Sequence, residues 1–345
     1  MAICNFWTCD IAYGFEEKSK TLRETKIIDV RSPREFLYAH IPNALNFPVL
    51  NDAQHEEIGT LYRHDPFGAK KKGSVYICQN IASFLEDEPI FHPKFKLILY
   101  CARGGQRSKS LWSILREIGF DCERIEGGYK QYRQEVLERL SKRPKQKFLT
   151  LYGATGCGKS ELIERAYLWS IDLEGLSKHY GSSFGDQANH FLGQPSCAMF
   201  ENLLDEQLCI KEGCVLIEGE SKKMGRIIIP NTLFEAMHQG IKIMIKSSME
   251  KRVERIVKMY SCISEEHFLH SMQKIRPYMP RVFYDEVLRS WDVRDYEQIA
   301  SILLEKYYDH VYRQNQCDFM LCSDDMDAAY QEICHLKEEL EKNSL

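Results

Sequence analysis

Two short stretches of the sequence hold residues whose types and spacing could do chemistry on phosphate-bearing substrates. The first, Gly153-Ala-Thr-Gly-Cys-Gly-Lys-Ser160, matches the pattern G-x-x-x-x-G-K-[ST] in full. Its glycines, Gly153, Gly156 and Gly158, allow backbone N–H groups to converge on phosphate oxygens. Lys159 supplies a mobile cation, and the Ser160 hydroxyl can ligate Mg²⁺. The stretch therefore predicts a phosphate-binding site.

The second stretch is a cysteine loop, Cys101-Ala-Arg-Gly-Gly-Gln-Arg-Ser108, which follows an apolar run. A cysteine at a strand-to-helix turn meets loop N–H groups and a helix N-terminus, and Arg103 and Arg107 add positive charge. All of these favour the thiolate, the nucleophilic form. Gly104 and Gly105 let the loop curl so that its amides can bind a phosphate. We predict Cys101 as a catalytic residue with both arginines; an inert buried cysteine is the alternative.

The elements that must position these loops follow one repeated order. Apolar runs at 96–100 and 147–152 predict strands, and helical patterns at 108–118 and 161–168 follow the two loops. The order strand, loop, helix predicts the α/β class with parallel sheets. Further strands are predicted at 26–30, 45–47, 214–219, 241–245 and 318–321, and further helices at 249–260, 294–313 and 326–342.

The length of 345 residues leaves room for two domains of about 150 residues each. Residues 130–147 are rich in Lys and Arg and are interrupted by Pro144, which predicts a linker. The cysteine loop is therefore assigned to a domain at 1–143. The phosphate loop and C-terminal helices are assigned to a domain at 144–345. The linker charges are interpreted as a solvated face, with an RNA contact as the alternative.

Composition narrows the class of protein. The formal net charge of −4 provides no general attraction to nucleic acid, so RNA contacts would need local basic patches. The 13 cysteines include no C-x-x-C pair, which favours reduced thiols in a cytoplasmic protein. The first ten residues do not resemble a signal peptide, and no apolar stretch approaches the ~20 residues of a membrane helix. No membrane partner is expected.

Two further sets of charged residues are candidates near a bound phosphate. The apolar run at 214–217 ends in Glu218, Gly and Glu220 rather than the Asp of many nucleotide-binding strands. Either acid could lie near Mg²⁺, or it could be an ordinary acid at the end of a strand. Because Glu stands in place of Asp, the sequence gives only weak support to ATP hydrolysis. Arg252 and Arg255 share one helix face, as lid arginines that contact phosphates do. A solvated helix face is the competing interpretation.

The segments at 28–36 and 40–44 and the order of the two loops resemble a known family. Ile-Asp-Val-Arg-Ser-Pro-Arg-Glu-Phe at 28–36 and His-Ile-Pro-Asn-Ala at 40–44 resemble the front half of a rhodanese domain, with Cys101 at its persulfide-forming position. The five residues between Cys101 and Arg107 match the loop length of rhodanese-like phosphatases, so the loop should admit more than one sulfur atom. A rhodanese-like parallel-sheet domain followed by a P-loop NTPase-like α/β domain resembles the tRNA 2-selenouridine synthase family. Residues similar to that family continue through 126–130, 172–176, His179, 181–185, 200–204, 220–222, Gly225 and 307–312.

The resemblance implies a transferase acting on tRNA with 2-thiouridine at the wobble position. That family first geranylates the sulfur with geranyl diphosphate and then exchanges the S-geranyl group for selenium from selenophosphate. It implies that Lys159 and Ser160 with Mg²⁺ stabilise the leaving diphosphate. It also implies that Cys101 is the nucleophile or selenium carrier, with Arg103 and Arg107 on the phosphate. No tightly bound cofactor is expected, and a selenophosphate synthetase would supply the selenium donor.

Contacts with tRNA and with a geranyl group are assigned by residue type. Phosphate contacts are predicted for Lys71, Lys72, Lys222 and Arg226, with Lys70, Lys223 and the linker as further basic groups. Candidates for stacking a base are Tyr76, Tyr129 and Tyr132. An apolar slot could involve Phe184, Phe191, Met199 and Phe200, for which ordinary core packing is the alternative. His179 is either a polar active-site residue or a loop histidine.

The sequence is also compatible with two rival functions. A Cys-x5-Arg phosphatase or arsenate reductase fused to a small-molecule kinase would use the same two loops. It would hydrolyse a generic phosphomonoester in a manner that depends on Cys101. A nucleotide-gated sulfur carrier or scaffold would bind nucleotide without turning over any tRNA base. Neither rival needs the family-like residues between 172 and 226, which favours the synthase interpretation.

Overall fold

The computed structural model describes residues 23–179, 193–260, 263–311 and 317–342. The first part of the chain forms a four-stranded parallel sheet in the order β2-β1-β3-β4. Its strands are β1 (Glu24–Asp29), β2 (Leu45–Asn46), β3 (Phe95–Tyr100) and β4 (Cys122–Arg124). Its helices are α1 (Pro33–Tyr38), α2 (Asp52–Leu61), α3 (Pro66–Asp87), α4 (Gln106–Ile118) and α5 (Gly128–Leu140).

The register of β1 and β3 determines where the cysteine loop emerges. β3 is a buried, nearly continuous apolar run, as parallel strands covered on both faces are, and β1 is buried over its last three residues, Ile27–Asp29. Asp29 pairs with Tyr100, so the two strands end side by side. Residues that follow them, such as Arg31 and Cys101, therefore emerge at the same edge of the sheet.

The second sheet has five parallel strands in the order β11-β10-β5-β7-β6, with β5 in the centre. Its strands are β5 (Lys147–Tyr152), β6 (Ser170–Ile171), β7 (Cys214–Glu218), β10 (Ile241–Lys246) and β11 (Phe319–Cys322). The strands β8 (Lys223–Met224) and β9 (Ile227–Ile228) form a separate antiparallel hairpin. The central position of β5 places the phosphate loop between two flanking strand ends.

The remaining helices follow in chain order. They are α6 (Lys159–Arg165), α7 (Leu173–Ser177), α8 (Cys197–Ile210), α9 (Asn231–Gln239), α10 (Met249–Tyr260), α11 (Glu265–Ile275), α12 (Arg281–Asp292), α13 (Tyr296–Leu303), α14 (Asp309–Val311) and α15 (Met326–Lys342). A 3-10 turn at Arg276–Tyr278 precedes α12, and a π-helical turn at Leu304–Tyr308 joins α13 to α14. The α/β class with parallel sheets is confirmed. Within the described residues, no helix is both long enough and apolar enough to cross a bilayer.

Contacts divide the chain into two units, and one helix departs from sequence order. The first unit runs to Arg139 and includes Ala198–Cys209 of α8, while the second holds the rest. In the first unit, Arg139 donates to both carboxylate oxygens of the buried Asp205. The Asn202 amide donates to the His40 carbonyl and the Tyr129 hydroxyl. The boundary at 143 stays a prediction, and these contacts show why α8 packs with the first unit.

We predict that Asp205→Ala lowers the free energy of unfolding by about 2 to 3 kcal/mol. The substitution leaves the half-buried Arg139 guanidinium without its bidentate partner. Urea denaturation followed by circular dichroism measures the change. The matched control is Glu135→Ala, which removes a more exposed carboxylate 3.9 Å from the same arginine and should cost less than about 1 kcal/mol. Equal losses in the two variants would contradict the assignment.

Candidate active sites

Cys101 lies directly after β3, with only 3% of its surface exposed. Its Sγ accepts hydrogen bonds from the Gly105 N–H at 3.2 Å and from the Ser108 hydroxyl at 3.3 Å. Because α4 begins at Gln106, the thiol faces the N-terminus of that helix. The structure therefore places Cys101, Gly104 and Gly105 in one loop around the sulfur.

The surroundings of the sulfur favour its ionised form. Burial on its own raises the pKa of the Cys101 thiol. Hydrogen bonds from the Ser108 hydroxyl and from the N–H groups of Ser108 and Arg103 outweigh that effect, and the charge of Arg107 adds to them. The pKa consequently lies below the usual value for cysteine, which makes the thiolate more abundant at neutral pH.

The cysteine loop is held in place by the segment after β4. The N–H groups of Tyr129 and Lys130 donate to the carbonyl oxygens of Cys101 and Ala102, each at 2.9 Å. Gly128 has φ +61°, and a Cβ there would lie 2.2 Å from the Cys101 carbonyl oxygen. Only glycine suits both the conformation and the close approach.

The two predicted arginines differ in their environments. Arg107 donates to both carboxylate oxygens of Glu35, at 2.5 and 3.2 Å, whereas Arg103 is exposed. Burial raises the pKa of Glu35, but its bond with Arg107 outweighs this and leaves the pKa below the usual value. Sequence reasoning missed the role of Glu35, although the residue stands in the rhodanese-like stretch. Glu35 fixes the orientation of Arg107 next to the loop.

Two of the proposed base-stacking tyrosines are packed inside the first unit. Tyr132 is buried, so the prediction that it stacks an RNA base is wrong. Tyr129 bonds to Asn202, and its ring centroid lies 3.9 Å from the guanidinium carbon of Arg31. Tyr76 on α3 is half-buried and donates to Glu57. Aromatic type alone did not separate packed rings from accessible ones.

The phosphate loop joins β5 to α6. Lys159 Nζ donates to the Gly153 carbonyl at 2.9 Å, and Gly158, with φ +89°, caps α6. The Ser160 hydroxyl donates to Glu174 Oε2 at 2.9 Å. Glu174 lies on α7 and accepts this hydrogen bond from Ser160, a role that sequence reasoning did not assign.

The predicted metal-supporting acids form a cluster with Glu174. Glu218 is fully buried at the end of β7, opposite Leu151, and accepts from the Leu173 N–H. Burial raises its pKa well above the usual value, and repulsion from nearby carboxylates adds to this. Burial, with repulsion from the half-buried Glu220, raises the pKa of Glu174 to about 7. Among the described residues, no set of three or more His, Cys, Asp or Glu side chains is arranged to hold a metal by itself.

Arg252 and Arg255 both bond to the carbonyl side of the phosphate loop. Arg252 Nε donates to the Thr155 carbonyl at 2.9 Å, and its remaining nitrogens donate to Asp309 at 2.9 and 2.6 Å. Arg255 donates to the Gly156 carbonyl, the Ser247 hydroxyl and the Ser323 carbonyl. Arg252 is only 7% exposed, so the solvated-face interpretation is wrong for it. A phosphate contact stays a prediction for both arginines.

Both parts of the chain match models of known protein families. Residues 15–135 match the model of the rhodanese-like domain, and residues 146–282 match that of the tRNA 2-selenouridine synthase AAA domain. A tRNA 2-selenouridine synthase of Shewanella woodyi is 31% identical over 330 residues, 83% of this chain and 87% of that protein. The synthase of Salmonella heidelberg is 36% identical over 72% of this chain and 70% of its own length.

The chain belongs to the tRNA 2-selenouridine synthase family. Its two domain types and its class, a transferase-type enzyme, are thereby confirmed. A protein of Sulfurovum sp. NBC37-1 with the same name is 32% identical over 83% of this chain. The matches lend no support to a phosphatase–kinase fusion or to a non-catalytic carrier.

The basic residues predicted to contact RNA lie on the surface of this synthase-family member. Lys71 and Lys72 are exposed on α3 of the first unit, where Lys72 pairs with Glu57. Lys222 and Arg226 are exposed at the β8–β9 hairpin of the second unit, where Arg226 donates to the Gln194 carbonyl. Their RNA contacts stay predictions.

Other predicted residues fall elsewhere. Phe200 is fully buried on α8, which fits core packing rather than an accessible slot, and Met199 on the same helix is half-buried. His179 follows α7 with its ring close to Gly225. Phe184, Phe191 and the family-like residues at 181–185 lie outside the described residues, as does Tyr312.

We predict that Ser108→Ala raises the pKa of Cys101, because one hydrogen bond to the thiolate is lost. At pH 7 the rate of alkylation by iodoacetamide should fall by about three- to tenfold, with its pH midpoint moved upward. Mass spectrometry of the peptide containing Cys101 gives the rate. Ser110→Ala, which removes a surface hydroxyl two residues further along α4, should leave the rate unchanged. An unchanged midpoint in Ser108→Ala would refute this role of the hydroxyl.

Proposed function

We propose that the enzyme converts 2-thiouridine at the wobble position of tRNA into 2-selenouridine by two successive substitutions. Geranyl diphosphate is the first co-substrate and selenophosphate the second. The observation that carries the proposal is the presence of two anion-binding loops in one chain of this family. One surrounds the Cys101 thiol, whose pKa is lowered, and the other carries Lys159, whose Nζ lies beside the Gly153 carbonyl.

The first substitution fits the phosphate loop. The sulfur of 2-thiouridine attacks C1 of the geranyl group, the carbon–oxygen bond breaks, and diphosphate leaves with the electron pair. The N3 proton of the uridine is released. Loop N–H groups and Lys159 stabilise the charge that develops on the leaving oxygen.

Mg²⁺ would be held by Ser160 and Glu174, and it would supply charge neutralisation of the diphosphate. The donor set supports this, because Mg²⁺ generally keeps several waters and takes one or two protein oxygens together with substrate phosphates. The neighbouring Glu218 Oε1 is buried and has no hydrogen-bond partner within the part of the chain that the structure describes. Glu218 and Glu220 stay predicted as further acids that support the metal.

The second substitution fits the cysteine loop. The Cys101 thiolate attacks C2 of the S-geranyl base, and geranylthiolate leaves with the electron pair and takes up a proton. Selenium of selenophosphate then displaces Cys101 from C2, and water cleaves the phosphorus–selenium bond to release phosphate. No redox change occurs. Selenium in selenophosphate is formally at −2, so carrying it on Cys101 as an S–Se bond would require an oxidant; the nucleophile role does not.

The remaining partners follow from the same reaction. We assign the contacts with tRNA phosphates to Lys71, Lys72, Lys222 and Arg226. The phosphate of selenophosphate would be bound by Arg103 and Arg107. A selenophosphate synthetase supplies the selenium donor. The cysteines of the described residues are all free, which fits a reducing cytoplasm.

We predict separable lesions in the two loops. Lys159→Ala should reduce S-geranylation of the tRNA by at least about 100-fold, since the leaving diphosphate loses its cation. Cys101→Ser should leave geranylation intact and accumulate S-geranyl-2-thiouridine. Mass spectrometry of digested tRNA distinguishes the two. Lys258→Ala on the surface of α10 and Cys78→Ser on the surface of α3 serve as matched controls. Loss of the same step in both variants would rule out this division.

We predict that Mg²⁺-dependent diphosphate binding strengthens as pH rises through about 7. Burial and Glu220 raise the pKa of Glu174 to about 7, so its carboxylate becomes available to a cation only above that pH. Glu174→Gln should bind more weakly and lose this part of the pH dependence, in isothermal titration calorimetry with inorganic diphosphate. Glu164→Gln, on the exposed surface of α6, is the control. A wild-type pH profile in Glu174→Gln would show that another group titrates.

A further inference from the structure

An apolar cavity of about 60 Å³ lies in the second unit, among α10, α11, α12, α13 and the π-helical turn. A single water molecule needs only about 10 to 15 Å³ of such space, so the cavity is several times larger. Its wall includes Ile256, Phe268, Trp291 and Ala300 and is almost entirely hydrocarbon. Cavities of this kind tend to stay dry and to accept apolar ligands.

The cavity reaches the phosphate loop, because Thr155 of that loop is part of its wall. Thr155 is held there by its carbonyl, which accepts from Arg252. Arg252 in turn pairs with Asp309, the residue directly after Tyr308, and Tyr308 also lines the cavity. One set of contacts therefore fixes the loop and the cavity wall relative to each other.

Two features of the wall are typical of a binding site rather than of a packing defect. Phe268 and Trp291 stack with ring centroids 3.9 Å apart and an interplanar angle of 8°. Leu304 and Tyr308 reach the cavity from the π-helical turn, a rare conformation that is frequent at functional sites. The turn interrupts the helix that the sequence predicts over 294–313.

We propose that this cavity binds the isoprenoid chain of the prenyl diphosphate whose diphosphate group is held by the phosphate loop. The inference rests on the proposed function and deepens it, since it names the residues that read the length of the chain. The cavity adjoins an anion site at one residue, Thr155, and the rest of its wall is almost entirely apolar. A ligand with a diphosphate head and a hydrocarbon tail matches both parts.

The test is calorimetric binding of geranyl diphosphate, dimethylallyl diphosphate and inorganic diphosphate to the full chain with Mg²⁺. Each buried methylene contributes about fourfold in affinity, so geranyl diphosphate should bind at least about tenfold more tightly than dimethylallyl diphosphate. Ala300 is the smallest side chain of the wall. Ala300→Phe should fill the cavity and weaken geranyl diphosphate by at least about tenfold, with inorganic diphosphate unchanged within about twofold. Glu297→Phe adds the same ring on the exposed side of α13 and should leave all three affinities unchanged.

If Ala300→Phe does not fold, Ile256→Ala provides a second test of the cavity. Ile256→Ala enlarges the cavity at a half-buried position and should shift the preference from geranyl towards farnesyl diphosphate. Folded Ala300→Phe or Ile256→Ala could keep the same preference for geranyl diphosphate over the shorter and longer prenyl diphosphates as the wild-type protein. That result would overturn the cavity assignment but not the proposed function. A wild-type protein that binds inorganic diphosphate but gains nothing from a geranyl group would overturn the proposed function and the inference together.

Discussion

An anion on a protein is stabilised best by N–H groups that do not have to move when charge develops. Both units meet this constraint in the same way, with a turn that follows an inner strand of a parallel sheet and leads into a helix. The strand fixes one end of the turn, and the helix N-terminus directs amides towards the ligand. Several of the contacts near the two loops keep these turns in position.

The two turns are held from behind by different means. In the first unit, backbone N–H groups of Tyr129 and Lys130 bond to the cysteine loop, and Gly128 permits the close approach. In the second unit the support is a buried charge, because Arg252 bonds to the Thr155 carbonyl while Asp309 neutralises it. A buried ion pair adds little stability by itself, but it is costly to break, so it holds one arrangement of loop and π-helical turn.

The local parts of this structure could be predicted from sequence, and the long-range parts could not. The strand at 147–152 and the helices at 249–260 and 326–342 have the predicted limits, because apolar periodicity and flanking turns are local signals. The two loops were found for the same reason. The pairing of Ser160 with Glu174 and of Arg107 with Glu35 leaves no periodic trace, since it depends on how distant segments fold together. The packing of α8 with the first unit was not predicted either, because it also depends on contacts between distant segments.

In the proposed reaction, one chain carries out two successive substitutions that modify one tRNA base. The first occurs at C1 of a prenyl diphosphate, and the second occurs at C2 of the uridine. The most direct test is a single-turnover time course with tRNA, geranyl diphosphate and selenophosphate, in which quenched samples are digested and their nucleosides are measured by mass spectrometry. We expect the amount of S-geranyl-2-thiouridine to rise first and then to fall as 2-selenouridine appears. Formation of 2-selenouridine at an undiminished rate without geranyl diphosphate would rule out this order of steps.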